Sequence, residues 1–307
     1  MRALVLGGTG FIGRRVAAAL AARGHAVVIG TRRPRRAARR LPAALSGGEL
    51  VEAHLERLTS RGDWHVLLAG FDCVVNAVGI LRPRGAETYE RVHHLAPAAL
   101  AAACALAPRR LVHVSALGLS PAARSRFIAS KLAGERAVAA SGADACIVRP
   151  SLLDGEGGYG ARWLRALARL PLHLTPADAR GRIAVLDVRE LGAAIATLCE
   201  LPSLAAWREV ELGGFAALTI AGHLAALRAR SGAAPALQLR VPAWLARTAS
   251  HACDFAHFSP FSFGHLELMR RDNLPSPNRL PELLRNTAIP RGQPCAGRPL
   301  GAELAFR

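Results

Sequence analysis

The 307-residue sequence predicts an α/β protein: a doubly wound parallel sheet followed by a small C-terminal α+β lobe. Three observations carry this reading. Short aliphatic runs alternate with longer helical patterns through the first half. A cluster of glycines separates the first run from the first helix. The regular alternation then ends near Arg149-Pro150. Strands covered on both faces are continuously apolar, and parallel neighbours need a crossover between them. The pattern therefore implies right-handed β–α–β units.

In chain order, Ala3–Leu6 reads as a strand, Phe11–Arg23 as a helix stopped by Gly24, and Ala26–Ile29 as a second strand. Aliphatic runs follow at Leu50–Ala53, Cys73–Ala77, Leu111–Ser115 and Ala145–Val148, with helical stretches at Thr88–Leu106 and Phe127–Ala140. Beyond a glycine cluster at Asp154–Gly160, the pattern gives a helix over Ala161–Leu170, a strand over Arg182–Leu186 and a helix over Val188–Leu201. A strand over Glu209–Leu212 and a helix over Ile220–Arg230 complete it. Residues 1–150 are expected to form the sheet domain, 151–272 a lid lobe interleaved with it, and 273–307 a Pro/Arg-rich tail lying loosely on the surface.

Hydrophobic residues make up 51% of the chain and charged residues 20%, enough to bury a core and to exclude disorder. Lys and Arg total 40 against 22 Asp and Glu, a net charge of +18. All but one of the 40 are arginine; the sole lysine is Lys131. So extreme a bias, beside so much alanine, reads as coding bias, and it singles out the one site that kept a lysine. The charge favours anionic partners: a nucleotide, a nucleic acid or an acidic membrane surface. Nucleic acid is disfavoured, because no aromatic residues interleave with the arginines as a stacking platform.

Cysteines 73, 104, 146, 199, 253 and 295 are scattered without a Cys-x-x-Cys pair. That speaks against zinc and disulfides and for a reducing, cytoplasmic setting. The opening MRALVLGGTGFIG holds too short an apolar run for a signal peptide. Leu95–Pro108 falls short of the roughly 20 residues a spanning helix takes. A soluble chain is expected, with a protein partner or peripheral contact at the inner face of a membrane left open.

The glycine cluster Gly7-Gly8-Thr9-Gly10-Phe11-Ile12-Gly13 carries the first chemistry. Gly7 permits a tight turn, Gly10 lets a diphosphate approach the backbone, and Gly13 lets the helix pack close to the sheet. The N–H groups and dipole of the helix start favour an anion there. The second strand ends in Gly30-Thr31-Arg32-Arg33, without the acidic residue that usually accepts from the ribose hydroxyls of NAD. Arg32 is placed to pair with a 2′-phosphate, so NADP(H) is expected over NAD(H). Arg33, Arg35, Arg36, Arg39 and Arg40 read as a solvated face.

With these residues in view, the chain resembles the short-chain dehydrogenase/reductase superfamily, in its extended and atypical branch, over most of residues 1–215. Gly7–Gly13 resembles the Gly-x-x-Gly-x-x-Gly turn of that branch. Asn76-Ala77-Val78-Gly79-Ile80-Leu81 resembles the loop beside the cofactor after the fourth strand. Ser115 matches the serine ending the fifth strand, and Lys131 the lysine of Tyr-x-x-x-Lys. Val148-Arg149-Pro150-Ser151 resembles the turn that meets the nicotinamide end. The resemblance implies a Rossmann-type fold. It also implies a dinucleotide lying over Gly7, Thr9, Gly10, Phe11, Ile12, Gly13, Arg32, Asn76, Ala77, Val78, Gly79, Ser115, Lys131 and Pro150. More narrowly, the 75–81, 112–118 and 131–135 segments resemble the subgroup of the nucleotide-binding accessory subunit of respiratory complex I and its bacterial relatives, where the nucleotide is held to be structural.

Two departures follow. Phe127 occupies the position of the motif's tyrosine, and a phenyl ring does neither acid nor base work. His54 stands where relatives often place an aspartate toward the adenine amine. Tyr89 and Tyr159 are the only tyrosines, and neither fits the motif; Tyr159, in a glycine loop, is expected to anchor the lid. The histidines at 93, 94, 251, 257 and 265 have no metal-ligand spacing. Arg162, Arg165 and Arg169 share a face of their helix, expected to wall a substrate pocket rather than lie on a membrane.

The expected function is an NADP(H)-binding protein with weak or non-standard oxidoreductase activity, or with structural or sensing use of the nucleotide. The alternative is an active reductase of a small apolar carbonyl or quinone-type substrate using Ser115 and Lys131.

Overall fold

The computed structural model describes residues 1–39, 41, 45, 48–256 and 259–285. Arg40, His257, Cys295 and the expected tail beyond residue 285 lie outside the described residues.

The strands are β1 (Arg2–Leu6), β2 (Ala26–Thr31), β3 (Glu49–Glu52), β4 (Cys73–Asn76), β5 (Arg110–Val114), β6 (Asp144–Pro150), β7 (Leu153–Asp154), β8 (Leu172–Pro176), β9 (Arg182–Ala184), β10 (Leu186–Asp187), β11 (Glu209–Leu212), β12 (Ala217–Thr219) and β13 (Leu237–Val241). The helices are α1 (Gly13–Ala22), α2 (Pro34–Ala38), α3 (Arg61–His65), α4 (Ala96–Cys104), α5 (Arg126–Ala140), α6 (Tyr159–Ala168), α7 (Val188–Glu200), α8 (Ile220–Arg230), α9 (Ala243–Ala256), α10 (Phe263–Met269) and α11 (Leu280–Leu284).

Seven strands form one sheet in the order β3-β2-β1-β4-β5-β6-β11, every pair parallel. Alternate residues of each strand serve opposite faces. Ala3 and Val5 join Val75, Val112 and Val148 under Val16 and Leu20 of α1 and Leu191 and Ile195 of α7. Leu4 and Leu6 join Val74, Leu111 and Ile147 under Trp64, Leu100 and Val138 of the opposite face. Burial on both faces is why these strands read as unbroken aliphatic runs. Strand order reverses between β1 and β4, which opens a crevice at the C-terminal edge of the sheet, where such folds place ligands.

The expected Rossmann-type doubly wound sheet is therefore present. Three local expectations are corrected. The strand expected over Arg182–Leu186 divides at Val185: β9 pairs antiparallel with β12, and β10 pairs parallel with β7. The helix expected over Thr88–Leu106 begins as a π-helical turn, Glu90–Leu95, before α4. The tail is not loose over 273–285: α11 buries Leu280 and Leu283 within the α1–α7 core, and the Arg279 guanidinium lies 4.0 Å over Trp207. One pair of leucines three apart was too short a helical signal to stand out among prolines.

Arg228, buried on α8, donates to the carbonyls of Arg169 and Leu170 at 2.8 and 3.0 Å. It thereby satisfies the exposed C-terminal end of α6 and ties the lobe together.

Candidate functional site

The turn after β1 is shaped by three glycines. Gly7 takes φ +73° and donates its N–H to Gly30 O at 2.9 Å, and a Cβ on it would lie 3.2 Å from Ala77 O. A Cβ on Gly13 would stand 2.2 Å from Gly7 O, so only glycine lets α1 begin this close to the turn. Among the described residues, the N–H groups of Phe11 and Ile12 find no backbone acceptor, and the first turn of α1 holds no acid and no side-chain cap. The result is a cradle with open donors at a helix N-terminus, which suits a diphosphate. Above it, the Gly155–Gly158 loop is clamped by Phe11, whose ring fills the space a Cβ on Gly158 would take, and by Arg14 donating to Glu156 O at 2.6 Å.

At the other end of the crevice, α5 and the π-helical turn press together at Gly134, where a Cβ would overlap His93 O. His93 is buried, and burial, aided by the nearby Lys131 charge, lowers its pKa to about 2. It is therefore neutral: Nε2 accepts from Ile80 N–H at 3.1 Å, and Nδ1–H donates to Ser130 Oγ at 3.1 Å. Ser130 in turn donates to Phe127 O at 2.9 Å. His113 is also neutral, with its pKa lowered by burial to about 3. Asn76, fully buried, donates to His113 Nδ1 at 3.2 Å and accepts from Val78 N–H at 3.2 Å. Asn76 and His93 together fix the 77–80 loop beside the crevice.

Lys131 sits among these neutral rings. Burial lowers its pKa to about 8, opposed by the Glu135 carboxylate. Its ammonium lies 5.9 Å from the Phe127 ring centroid. Glu135 itself is held by Arg149 at 2.7 Å, which pins α5 to the end of β6 beside Pro150. Ser115 continues past β5 on the face of Leu111 and His113, its N–H bonded to Val148 O at 2.8 Å. Its buried Oγ has no hydrogen-bond partner. A buried hydroxyl left unpaired is costly unless a ligand completes it. The glycine cradle fits the diphosphate of a nicotinamide dinucleotide, and the orphaned hydroxyl leaves a donor free for a substrate.

Phe127 lies in an aromatic cluster, edge-on to Tyr89 and His93 at 5.9 and 5.5 Å and 6.0 Å from His265. Tyr89 is thus brought beside the motif position, but its hydroxyl donates to Leu81 O at 2.8 Å, and burial raises its pKa to about 12. Tyr159 opens α6 with its ring under Arg162. Sequence reasoning missed His93, His113 and His265 as site neighbours. Asn76 and His113 are register partners across β4 and β5, a relation that 37 residues of separation conceal. Arg32 is ion-paired with Glu87, a partner brought in by the 82–88 loop. His54 bridges two carboxylates, Glu52 at 2.9 Å and Glu56 at 3.0 Å.

Parallel sheet, glycine cradle and switch-point crevice define a Rossmann-type nucleotide-binding protein. The family model described as NAD(P)H-binding matches residues 7–178, more than half of the chain, and the chain belongs to that family. Among curated proteins, a ceramide reductase of Caulobacter vibrioides is 31% identical over 201 residues, 65% of this chain and 61% of the relative. The chain thus spans less than two thirds of that relative's length. Among solved structures, UDP-glucuronic acid 4-epimerase from Bacillus cereus, with NAD and UDP-glucuronic acid, is 16% identical with a TM-score of 0.60, covering 79% of this chain and 86% of that one. A short-chain dehydrogenase/reductase superfamily protein from Agrobacterium tumefaciens with bound NAD is 20% identical at the same TM-score and coverage. At such identities the likeness concerns the fold.

Proposed function

We propose that the chain is a reductase that uses NADP(H) to reduce a carbonyl on an apolar, ceramide-like lipid, without a tyrosine proton donor. The observation that carries this reading is the orphaned Ser115 hydroxyl on the face that His113 shares with Lys131. The nicotinamide, when bound, supplies a hydride. Ser115 Oγ–H donates to the substrate carbonyl oxygen and polarises it. Lys131, with a pKa near 8, holds ribose hydroxyls through its ammonium and supplies the proton that the missing phenol would give. The neutral His93 and His113 leave Lys131 without a competing cation there. The lipid-like substrate is suggested by the curated relative's name.

A second reading, nucleotide held for structure or sensing, is favoured by one observation: Phe127 presents only hydrocarbon where the phenol would stand. Turnover separates the two. Wild type should oxidise NADPH with a long-chain keto-lipid in detergent. Phe127→Tyr should raise kcat by about 10–100-fold by restoring a phenolic donor. Nucleotide that binds while neither protein turns over would establish the second reading.

The cofactor preference rests on Arg32, whose side chain is 57% exposed and reachable by a 2′-phosphate once Glu87 yields. Glu87→Gln should tighten NADPH but not NADH. Arg32→Ala should weaken NADPH by about tenfold or more, the worth of one charge-assisted contact. Calorimetric titration with both nucleotides reads this directly, and equal losses for the two would remove Arg32 from the account.

A further inference from the structure

Two parts of the C-terminal lobe, the β8–β13 ribbon and α9, carry apolar side chains on the outside. β8 and β13 pair in parallel register, Leu172 with Leu237 and Leu174 with Leu239. The period of two puts these four leucines on the outer face, while His173 and Thr175 are buried beneath. In β8 that is the reverse of a solvated strand, whereas β13 also exposes Gln238 and Arg240 on its other face. α9 continues the pattern: only Ala246 and Ser250 are buried, while Trp244 is 70% and Phe255 88% exposed. Trp244, Leu245, Thr248, Ala249, Ala252 and Phe255 are all exposed and fall on one side of the helix at 3.6 residues per turn.

The surrounding charge is one-sided. Residues 157–177 and 212–253, which contain α6, β8, α8, β13 and most of α9, hold seven arginines and no aspartate or glutamate. Arg169, Arg230, Arg240 and Arg247 among them are exposed.

We propose that this lobe docks on the surface of an anionic phospholipid bilayer, seating Leu172, Leu174, Leu237, Leu239, Trp244 and Phe255 at the headgroup–acyl boundary. Exposed leucines with an edge tryptophan and a rim of arginines match that boundary. The rings and alkyl groups enter the apolar layer while guanidinium groups reach lipid phosphates. A second copy of the chain is disfavoured as occupant, because it would bring an equally arginine-rich face against this one, and the acid of α9, Asp254, is already paired with Arg82. The surface also adjoins the site. His251 of α9 stacks on Phe263 of α10 at 4.5 Å, and His265 of α10 faces Phe127. Arg82, buried in the loop leading to the π-helical turn, holds Asp254 of α9 at 3.1 Å. A bilayer-seated α9 therefore lies next to the ring cluster around Lys131. The docking itself stands whether or not the site turns over.

The test is sedimentation of the full chain with vesicles of phosphatidylcholine alone or mixed with phosphatidylglycerol. The wild type should partition to the anionic vesicles at least about tenfold better than to neutral ones. A Leu239→Gln/Trp244→Gln/Phe255→Gln variant should lose about tenfold or more of that partitioning while keeping its melting temperature and NADPH affinity, since all three residues are on the surface. Failure of the wild type to bind, or unchanged binding by the variant, would overturn the proposal. So would a wild-type dimer that the variant dissolves, or binding that appears only after residues 286–307 are removed. Vesicle binding without turnover would leave the docking standing and remove the reductase reading. Turnover of solubilised lipid without vesicle binding would do the opposite.

Discussion

Gly13→Ala is expected to abolish dinucleotide binding. The added Cβ would lie 2.2 Å from Gly7 O and 2.7 Å from its carbonyl carbon, both backbone atoms that no rotamer change can move. Either the turn opens or the start of α1 retreats from it, and in both cases the Phe11 and Ile12 donors leave the diphosphate position. A displacement of about an ångström suffices for a loss of about 100-fold or more in affinity, with an overpacking cost of about 1–3 kcal/mol in stability. Gly10→Ala separates the two effects. Its Cβ would meet only Gly7 O, at 3.0 Å. The fold should survive while the methyl group occupies the approach to the backbone. Calorimetric titration and thermal melts of the two variants should therefore show equal losses of NADPH affinity and unequal losses of stability.

Lys131→Met is expected to weaken NADPH and to stabilise the free protein. Loss of charge-assisted bonds to the ribose should raise Kd by about 10–100-fold. The stability change runs the other way because the folded state disfavours this ammonium. Its pKa falls from 10.5 to about 8, so from pH 8 to 10.5 the folded chain has released a proton that the unfolded chain keeps. Wild-type stability therefore rises with pH across that window, and below pH 8 the full penalty, at most about 3 kcal/mol, is present. The methionine variant lacks both the penalty and the slope, so its melting temperature at pH 7 should exceed that of the wild type. The same proton governs binding: Kd for NADPH should be flat below pH 8 and rise about tenfold per pH unit above it, until the pKa in the complex is reached. A wild-type Kd that ignores pH, or a variant that binds as well, would return Lys131 to an ordinary helix position.

The parts of this architecture legible in the sequence are those set by local chemistry. β1, the glycine turn and α1 could be read because Gly10 and Gly13 both answer the carbonyl of Gly7 a few residues away. The helices Val188–Glu200 and Ile220–Arg230 could be read because their apolar spacing persists over three turns. What stayed hidden depends on distant partners. The His93–Ser130 and Asn76–His113 bonds each join residues 37 apart, and Arg32 meets Glu87 only when the 82–88 loop is placed. β8, β13 and α9 escaped notice for another reason. Their leucines face solvent, so the usual link between apolar residues and burial misleads there. His54 illustrates a milder failure: its pairing with the neighbouring carboxylates Glu52 and Glu56 appears only once the chain after β3 is placed.

Carbonyl reduction at Ser115 and Lys131 without a tyrosine can be followed as NADPH oxidation with a long-chain keto-lipid, comparing wild type with Ser115→Ala. The wild type should show substrate-dependent oxidation and the variant a loss of about 100-fold in kcat, with NADPH affinity retained. Tightly bound NADPH that no carbonyl lipid consumes, with wild type and Ser115→Ala alike, would contradict it.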